Sequence, residues 1–307
     1  MPLPEGARGW DVGLAARAGD GTAIRAALWS PGGAKGLAVL SPGRTEFLEK
    51  AALPATALAD RGYAVVAADW RGQGLSQRLA DDPLKGHVDD FADFADDLRA
   101  VLALPEVVAL GPVQLAFGHS MGGAITMEAM RRGAMAPEAV LLSAPMLGLA
   151  GGSLRNGATR VMAEAASAIG LGEHWPPLPD PATPYVFQGF EDNCLTGDAA
   201  MYAWLVEALK AAPALQLGLP TLGWLRAAYR VIGRIEEMRT VPPMHIIVGS
   251  REGVVDRQAC VATAERLGAA CTVIEGALHE LPMELPRHRA AFWEAAETGP
   301  IGPHLAR

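Results

Sequence analysis

Val113-Gln114-Leu115-Ala116-Phe117-Gly118-His119-Ser120-Met121-Gly122-Gly123-Ala124 is the stretch on which the reading of this chain turns. Val113 to Phe117 is an apolar run without regular polar alternation, as expected of a strand buried on both faces. Gly118 to Gly122 has the pattern G-x-S-x-G. Ala124 to Arg132 then reads as a helix. A serine on so sharp a strand-to-helix turn is held in a strained backbone conformation, which only small neighbours tolerate, and its oxygen projects above the sheet. Ser120 is therefore the candidate nucleophile.

Working outward, similar runs recur at Gly36–Leu40, Ala64–Ala68, Ala139–Ser143, Met244–Val248 and Cys271–Ile274, with helical patterns between them. This order predicts a mostly parallel sheet with helices on both faces. Ile24–Trp29 is expected as an antiparallel edge. The alternation stops after Met146 and resumes near Val241. Residues 1–146 and 241–307 are thus expected to form the core, and residues 147–240 a helical cap over the carboxyl ends of the strands, where open α/β sheets bind ligands. Val88, Phe91, Phe94, Leu98 and Val101 share one helical face. The acids between them, Asp89 to Asp97, read as its solvated side rather than as a metal site.

The composition excludes several classes. The chain of 307 residues carries a formal net charge of −8, with no basic run, so nucleic acid is not an expected partner. Three cysteines, an odd count without metal-ligand spacing, argue against a disulfide framework and for the cytoplasm. The first residues lack a basic segment followed by an apolar run, so no signal peptide is expected. No stretch is long and apolar enough to span a bilayer. A lipid substrate would be met from the water side, by transient contact with a membrane surface.

A serine hydroxyl needs a base to become a nucleophile. His279 follows the last strand directly and is late in the chain, as the order Ser…acid…His requires. The other histidines read as structural: His245 lies in a strand, His87 opens a helix, His119 is turned away by the elbow, and His174, His288 and His304 fall in the cap, the last helix and the tail. Glu252, just past Met244–Val248, is favoured as the acid orienting the imidazole. Asp256 is the alternative, although its position before Arg257–Leu267 suits a helix N-cap. Two backbone N–H groups are needed for the oxyanion. Met121 is expected to supply one, and Arg44, in the loop after Gly36–Leu40, the other. Neither a metal nor a cofactor is required by this chemistry.

Several segments share one family's motifs. Pro42-Gly43-Arg44-Thr45-Glu46-Phe47 resembles its oxyanion loop, and Asp69-Trp70-Arg71-Gly72-Gln73-Gly74-Leu75-Ser76 its D-x-R-G-x-G-x-S turn. Gly86-His87, the elbow, Asn193-Cys194-Leu195-Thr196 and Pro220-Thr221-Leu222-Gly223-Trp224 also match. Over nearly its whole length the chain resembles the monoacylglycerol lipase and bacterial lysophospholipase branch of the α/β-hydrolases, a serine aminopeptidase-type domain. The resemblance implies an α/β-hydrolase fold and hydrolysis of a carboxylic ester, such as a lysophospholipid or monoacylglycerol, through an acyl-enzyme. There are two departures from the pattern. Pro42 replaces the usual His, as in bacterial lysophospholipase-like members, and Glu252 replaces the usual Asp.

The cap residues Leu222 and Trp224 are expected to wall an acyl-chain pocket, since such a pocket must be lined by apolar atoms. An aminopeptidase or small-ester esterase of the same fold is the alternative; the former would need acids such as Glu173, Asp180, Glu191 or Asp192 to hold an α-ammonium. Ser120 argues against epoxide hydrolase and dehalogenase chemistry, which uses Asp at the elbow. A non-catalytic binding protein is disfavoured because nucleophile and base are both present.

Overall fold

The computed structural model describes residues 2–306. Its centre is an eight-stranded sheet. In chain order the strands are β1 (Val12–Arg17), β2 (Ala23–Trp29), β3 (Gly36–Ser41), β4 (Tyr63–Ala68), β5 (Val113–His119), β6 (Ala139–Ser143), β7 (Met244–Gly249) and β8 (Ala270–Ile274). In space the order is β1-β2-β4-β3-β5-β6-β7-β8. The β1–β2 and β2–β4 pairs are antiparallel, and all others are parallel. Ile24–Trp29 was expected at the edge, but β1 lies outside it. The sequence of β1, Val-Gly-Leu-Ala-Ala-Arg, is too poor in β-branched and aromatic residues to announce a strand.

The absence of polar alternation in the central strands has a packing cause. Successive side chains point to opposite faces. In β6, Val140 and Leu142 join one apolar cluster, while Ala139 and Leu141 join the other. The first cluster is covered by α2 (Ala92–Leu102), α4 (Met121–Arg131), α7 (Leu222–Glu236) and α8 (Arg257–Leu267), and the second by α1 (Leu48–Asp60) and α9 (Pro286–Thr298). α3 (Pro105–Val108) follows α2, and α10 (Gly302–Leu305) closes the chain. The acids of α2 are not simply solvated as expected. Asp97 is fully buried and takes two hydrogen bonds, of 2.9 and 2.6 Å, from the Arg71 guanidinium. This pair ties the turn after β4 to α2.

Between β6 and β7 the described residues form α5 (Gly152–Ala168), α6 (Ala199–Ala211) and α7, with short 3-10 turns at Tyr185–Gln188 and Pro213–Leu215. The one strand-like pairing in this stretch joins Leu149 to Val255. α7 packs into the main core through Trp224, Ala227, Ala228 and Val231. α6 contributes to a separate cluster with Phe47, at the foot of the loop after β3. β3 pairs with β4 on one side and β5 on the other, so strand order reverses there. The loops leaving the carboxyl ends of β3 and β5 consequently face each other across a ready-made crevice.

Candidate active site

The turn after β5 has the conformation its sequence demands. Ser120 has φ 52° and ψ −121°, a region that non-glycine residues rarely occupy. The glycines that flank it permit this geometry. A Cβ on Gly122 would lie 1.9 Å from the carbonyl oxygen of Ser41, and one on Gly118 would lie 2.8 Å from the Cα of Gly123. β3, β5 and the start of α4 are therefore locked together under the serine.

His279 lies five residues beyond β8 and is buried. Its Nε2 is 2.9 Å from Ser120 Oγ, and its Nδ1 is 2.8 Å from Glu252 Oε2. The extra methylene of Glu252 does not prevent contact. Its other oxygen accepts the N–H groups of Val254 and Val255 at 2.7 and 3.1 Å, which fixes the carboxylate. Burial pushes the Glu252 carboxyl up, but the imidazole and the two N–H groups outweigh it and hold the group below the usual range. Asp256 is elsewhere. It caps α8, accepting the N–H groups of Gln258 and Ala259 at 2.8 and 3.2 Å.

The loop after β3 approaches from the other side. A Cβ on Gly43 would lie 3.1 Å from Ser120 Cβ. Arg44 and Met121 both line the cleft above Ser120, and the N–H of neither has an acceptor among the described residues. Three buried contacts hold this loop in place beside Ser120. The Trp70 indole donates to the Pro42 carbonyl at 2.9 Å, the Gln73 amide donates to the Gly43 carbonyl at 2.8 Å, and Glu46 Oε2 accepts the Gly43 N–H. The D-x-R-G-x-G-x-S turn thus positions the loop after β3.

Sequence reading missed the charged cluster behind this loop. Lys50 Nζ bonds to Glu46 and, at 2.7 Å, to Glu280. Glu280 Oε2 is 3.2 Å from His119 Nε2, and the His119 and His279 rings are 4.9 Å apart. Burial pushes His119 down, yet the nearby Glu280 and Glu46 carboxylates raise it overall, which favours the imidazolium. Glu46, His119 and Glu280 could be mistaken for a metal-ligand set. The Lys50 ammonium already bridges the two carboxylates. The only sequence signal was the i, i+4 spacing of Glu46 and Lys50. His245 and His87 bond to the hydroxyls of Thr272 and Thr221, each at 2.8 Å, away from Ser120.

Above Ser120 lies a cleft of about 480 Å³. Its wall is mainly apolar, with Met146, Leu149, Val186, Leu217, Trp224 and Leu225 among the contributors. Leu222, expected beside Trp224, does not line the cleft. Residues two apart on a helix do not share a face, and Leu222 is buried outside the cleft wall. Glu173, Asp180, Glu191 and Asp192 are also absent from the wall.

A family model described as serine aminopeptidase, S33, matches residues 32–286. The chain belongs to this family. Lysophospholipase L2 of Escherichia coli K12 is 32% identical to this serine aminopeptidase-family chain over 279 residues, covering 84% of the chain and 78% of that protein. A probable lysophospholipase L2 of Haemophilus influenzae is 28% identical over 259 residues, covering 81% and 78%. Among solved structures, a soluble variant of monoglyceride lipase from Saccharomyces cerevisiae, in complex with a substrate analogue, matches with a TM-score of 0.72 over 96% of both chains. At 18% identity that likeness is one of fold, the α/β-hydrolase fold.

Proposed function

We propose that this protein is a serine hydrolase of single-chain lipid esters, a lysophospholipid or monoacylglycerol, with Ser120 as nucleophile, His279 as general base and acid, and Glu252 as the orienting acid. The observation that carries this reading is the hydrogen-bonded series Ser120–His279–Glu252, at 2.9 and 2.8 Å, opening into a mainly apolar cleft. The names of the curated relatives support the same substrate class.

In the proposed reaction Glu252 keeps the proton on His279 Nδ1, leaving Nε2 to accept the Ser120 proton as Oγ attacks the ester carbon. The N–H groups of Arg44 and Met121 receive the oxyanion. Collapse breaks the ester C–O bond, the alcohol leaves with the proton from Nε2, and the acyl group stays on Ser120. Water, deprotonated by Nε2, then attacks the acyl carbon; the bond to Ser120 Oγ breaks, Oγ takes the proton back from Nε2, and the fatty acid is released. Residues 147–240 act as the cap, contributing Val186, Leu217, Trp224 and Leu225 to the acyl-chain wall. No helix among the described residues is long and apolar enough to cross a membrane. Transient contact with a lipid surface is supported by the exposed Leu154, Val161 and Ile169, on and just after α5. A reducing, cytoplasmic setting is supported by the three unpaired cysteines.

The aminopeptidase alternative lacks a carboxylate for the substrate ammonium. Glu46 and Glu280 are the acids in the cleft wall, and both are engaged by Lys50. The test is active-site labelling. A fluorophosphonate should add to Ser120, as mapped by peptide mass spectrometry. Ser120→Ala should lose the adduct and at least about a thousandfold in kcat. Full esterase turnover in that variant would remove Ser120 from the mechanism.

A further inference from the structure

Several of the buried or half-buried cations among the described residues are paired with carboxylates. Arg71 meets Asp97 and Asp20, Lys50 meets Glu46 and Glu280, and the half-buried Arg25 meets Glu49 and Asp69. Arg44 is different. Arg44 lines the cleft that contains Ser120, yet the polar partner of its guanidinium is the Gly218 carbonyl, at 2.9 Å from Nη2. Nε is buried without a hydrogen-bond partner, and no carboxylate lies within 4 Å of the group among the described residues. The Trp224 ring lies on one side, with its centroid 5.5 Å from the guanidinium carbon. Arg78, its neighbour, is bound by the carbonyls of Gly72, Gly74 and Ala214, again with no acid.

A charge that is partly buried without a counter-charge is unfavourable, and Arg44 is in that position. Burial, with the adjacent Arg78 charge, pulls Arg44 down to about 9, so it still carries its proton at neutral pH. In a chain of net charge −8, an arginine at the cleft wall without an acidic partner among the described residues is a group suited to an anion. The exposed Arg155 lines the same cleft and is also without an acidic partner among the described residues. The planar guanidinium fork matches phosphate oxygens in geometry.

We propose that the Arg44 side chain binds the phosphodiester of the substrate's leaving group, making the protein selective for lysophospholipids over neutral monoacylglycerols. This inference rests on the ester-hydrolase reading above. The backbone N–H of Arg44 is assigned there to the oxyanion, so the side chain starts beside the scissile ester. In a lysophospholipid the glycerol skeleton separates that ester from the phosphate by roughly the reach of an extended arginine side chain.

The test compares kcat/KM for a lysophosphatidylglycerol and a monoacylglycerol of the same short acyl chain, in wild type, Arg44→Gln and Arg44→Lys. The wild type should favour the phosphate ester by about tenfold to a hundredfold, the value of a charge-assisted contact. Arg44→Gln should bring the ratio close to one, mainly through KM for the phosphate ester, and Arg44→Lys should retain part of the preference. Because the oxyanion N–H survives substitution, damage to the loop affects both substrates and cancels in the ratio. An unchanged ratio in Arg44→Gln, or a wild-type preference for the neutral ester, would overturn the inference while leaving the ester reading intact. Hydrolysis of neither ester would instead defeat the ester reading. If the variants do not fold, inhibition of wild-type monoacylglycerol hydrolysis decides. Glycerol 3-phosphate should compete and glycerol should not. Equal inhibition by inorganic phosphate would mark a free-anion site and overturn the headgroup assignment.

Discussion

The polar bed beneath Ser120 and the helical stretch between β6 and β7 face each other across one cleft, and they are built on different physics. In the bed, position is fixed by directional bonds between buried groups. Trp70 and Gln73 hold the carbonyls of Pro42 and Gly43, Glu46 takes the Gly43 N–H, and Val254 and Val255 hold Glu252. Across the cleft, position is set mainly by apolar packing, with Trp224 edge-on to Phe91 at 5.8 Å and Tyr202, Leu205 and Leu209 clustered with Phe47. α5 is looser still, with Ala163 its one buried residue and Leu154 88% exposed. Directional bonds suit the placing of reacting atoms. Apolar walls set how much hydrocarbon can be taken up and tolerate changes of shape.

If this contrast holds, damage to the bed should appear in kcat, and damage to the helical wall in how rate depends on the substrate's chain. The largest effect is expected at Glu252. Glu252→Gln should lower kcat by about ten-thousandfold, because the imidazole loses the carboxylate that sets its tautomer. Asp256→Asn should leave kcat near wild type and cost about 1 kcal/mol or less of stability, as a cap does. Steady-state kinetics and thermal unfolding of the two variants distinguish them, and loss of turnover in a folded Asp256→Asn protein would reverse the roles. A smaller effect is expected at Gln73, which touches no substrate. Gln73→Leu should free the Gly43 carbonyl and let the oxyanion loop drift, lowering kcat by about tenfold to a hundredfold with little change in KM. Wild-type kcat in that variant would mean that Trp70 and Glu46 hold the loop without it.

The two regions also differ in how far they could be read from sequence. The central strands were legible because burial on both faces leaves uninterrupted apolar runs, and the elbow because its backbone excludes all but small neighbours. Glu252 and His279, which lie within hydrogen-bond reach of each other, were singled out by their places after β7 and β8. β1 was missed because its glycine and alanines carry little strand signal. Asp97 was misread because its buried partner, Arg71, lies in another segment. Glu46 and Lys50 are near each other in sequence but far from His119 and Glu280, and they meet those two only in the fold. Leu222 and Trp224 were grouped by proximity, although helix phase turns them apart.

Chain-length dependence tests the account most directly. The measurement is kcat/KM for wild type on p-nitrophenyl esters from acetyl to dodecanoyl, with an aminoacyl anilide alongside. Each methylene buried in the apolar wall contributes about 0.8 kcal/mol. The value should therefore climb steeply from acetyl to at least octanoyl and level off as the cleft fills, and Trp224→Ala should flatten that climb more than it lowers acetyl-ester turnover. A preference for acetyl esters or for the anilide, with no gain from longer chains, would contradict the lipid-ester assignment.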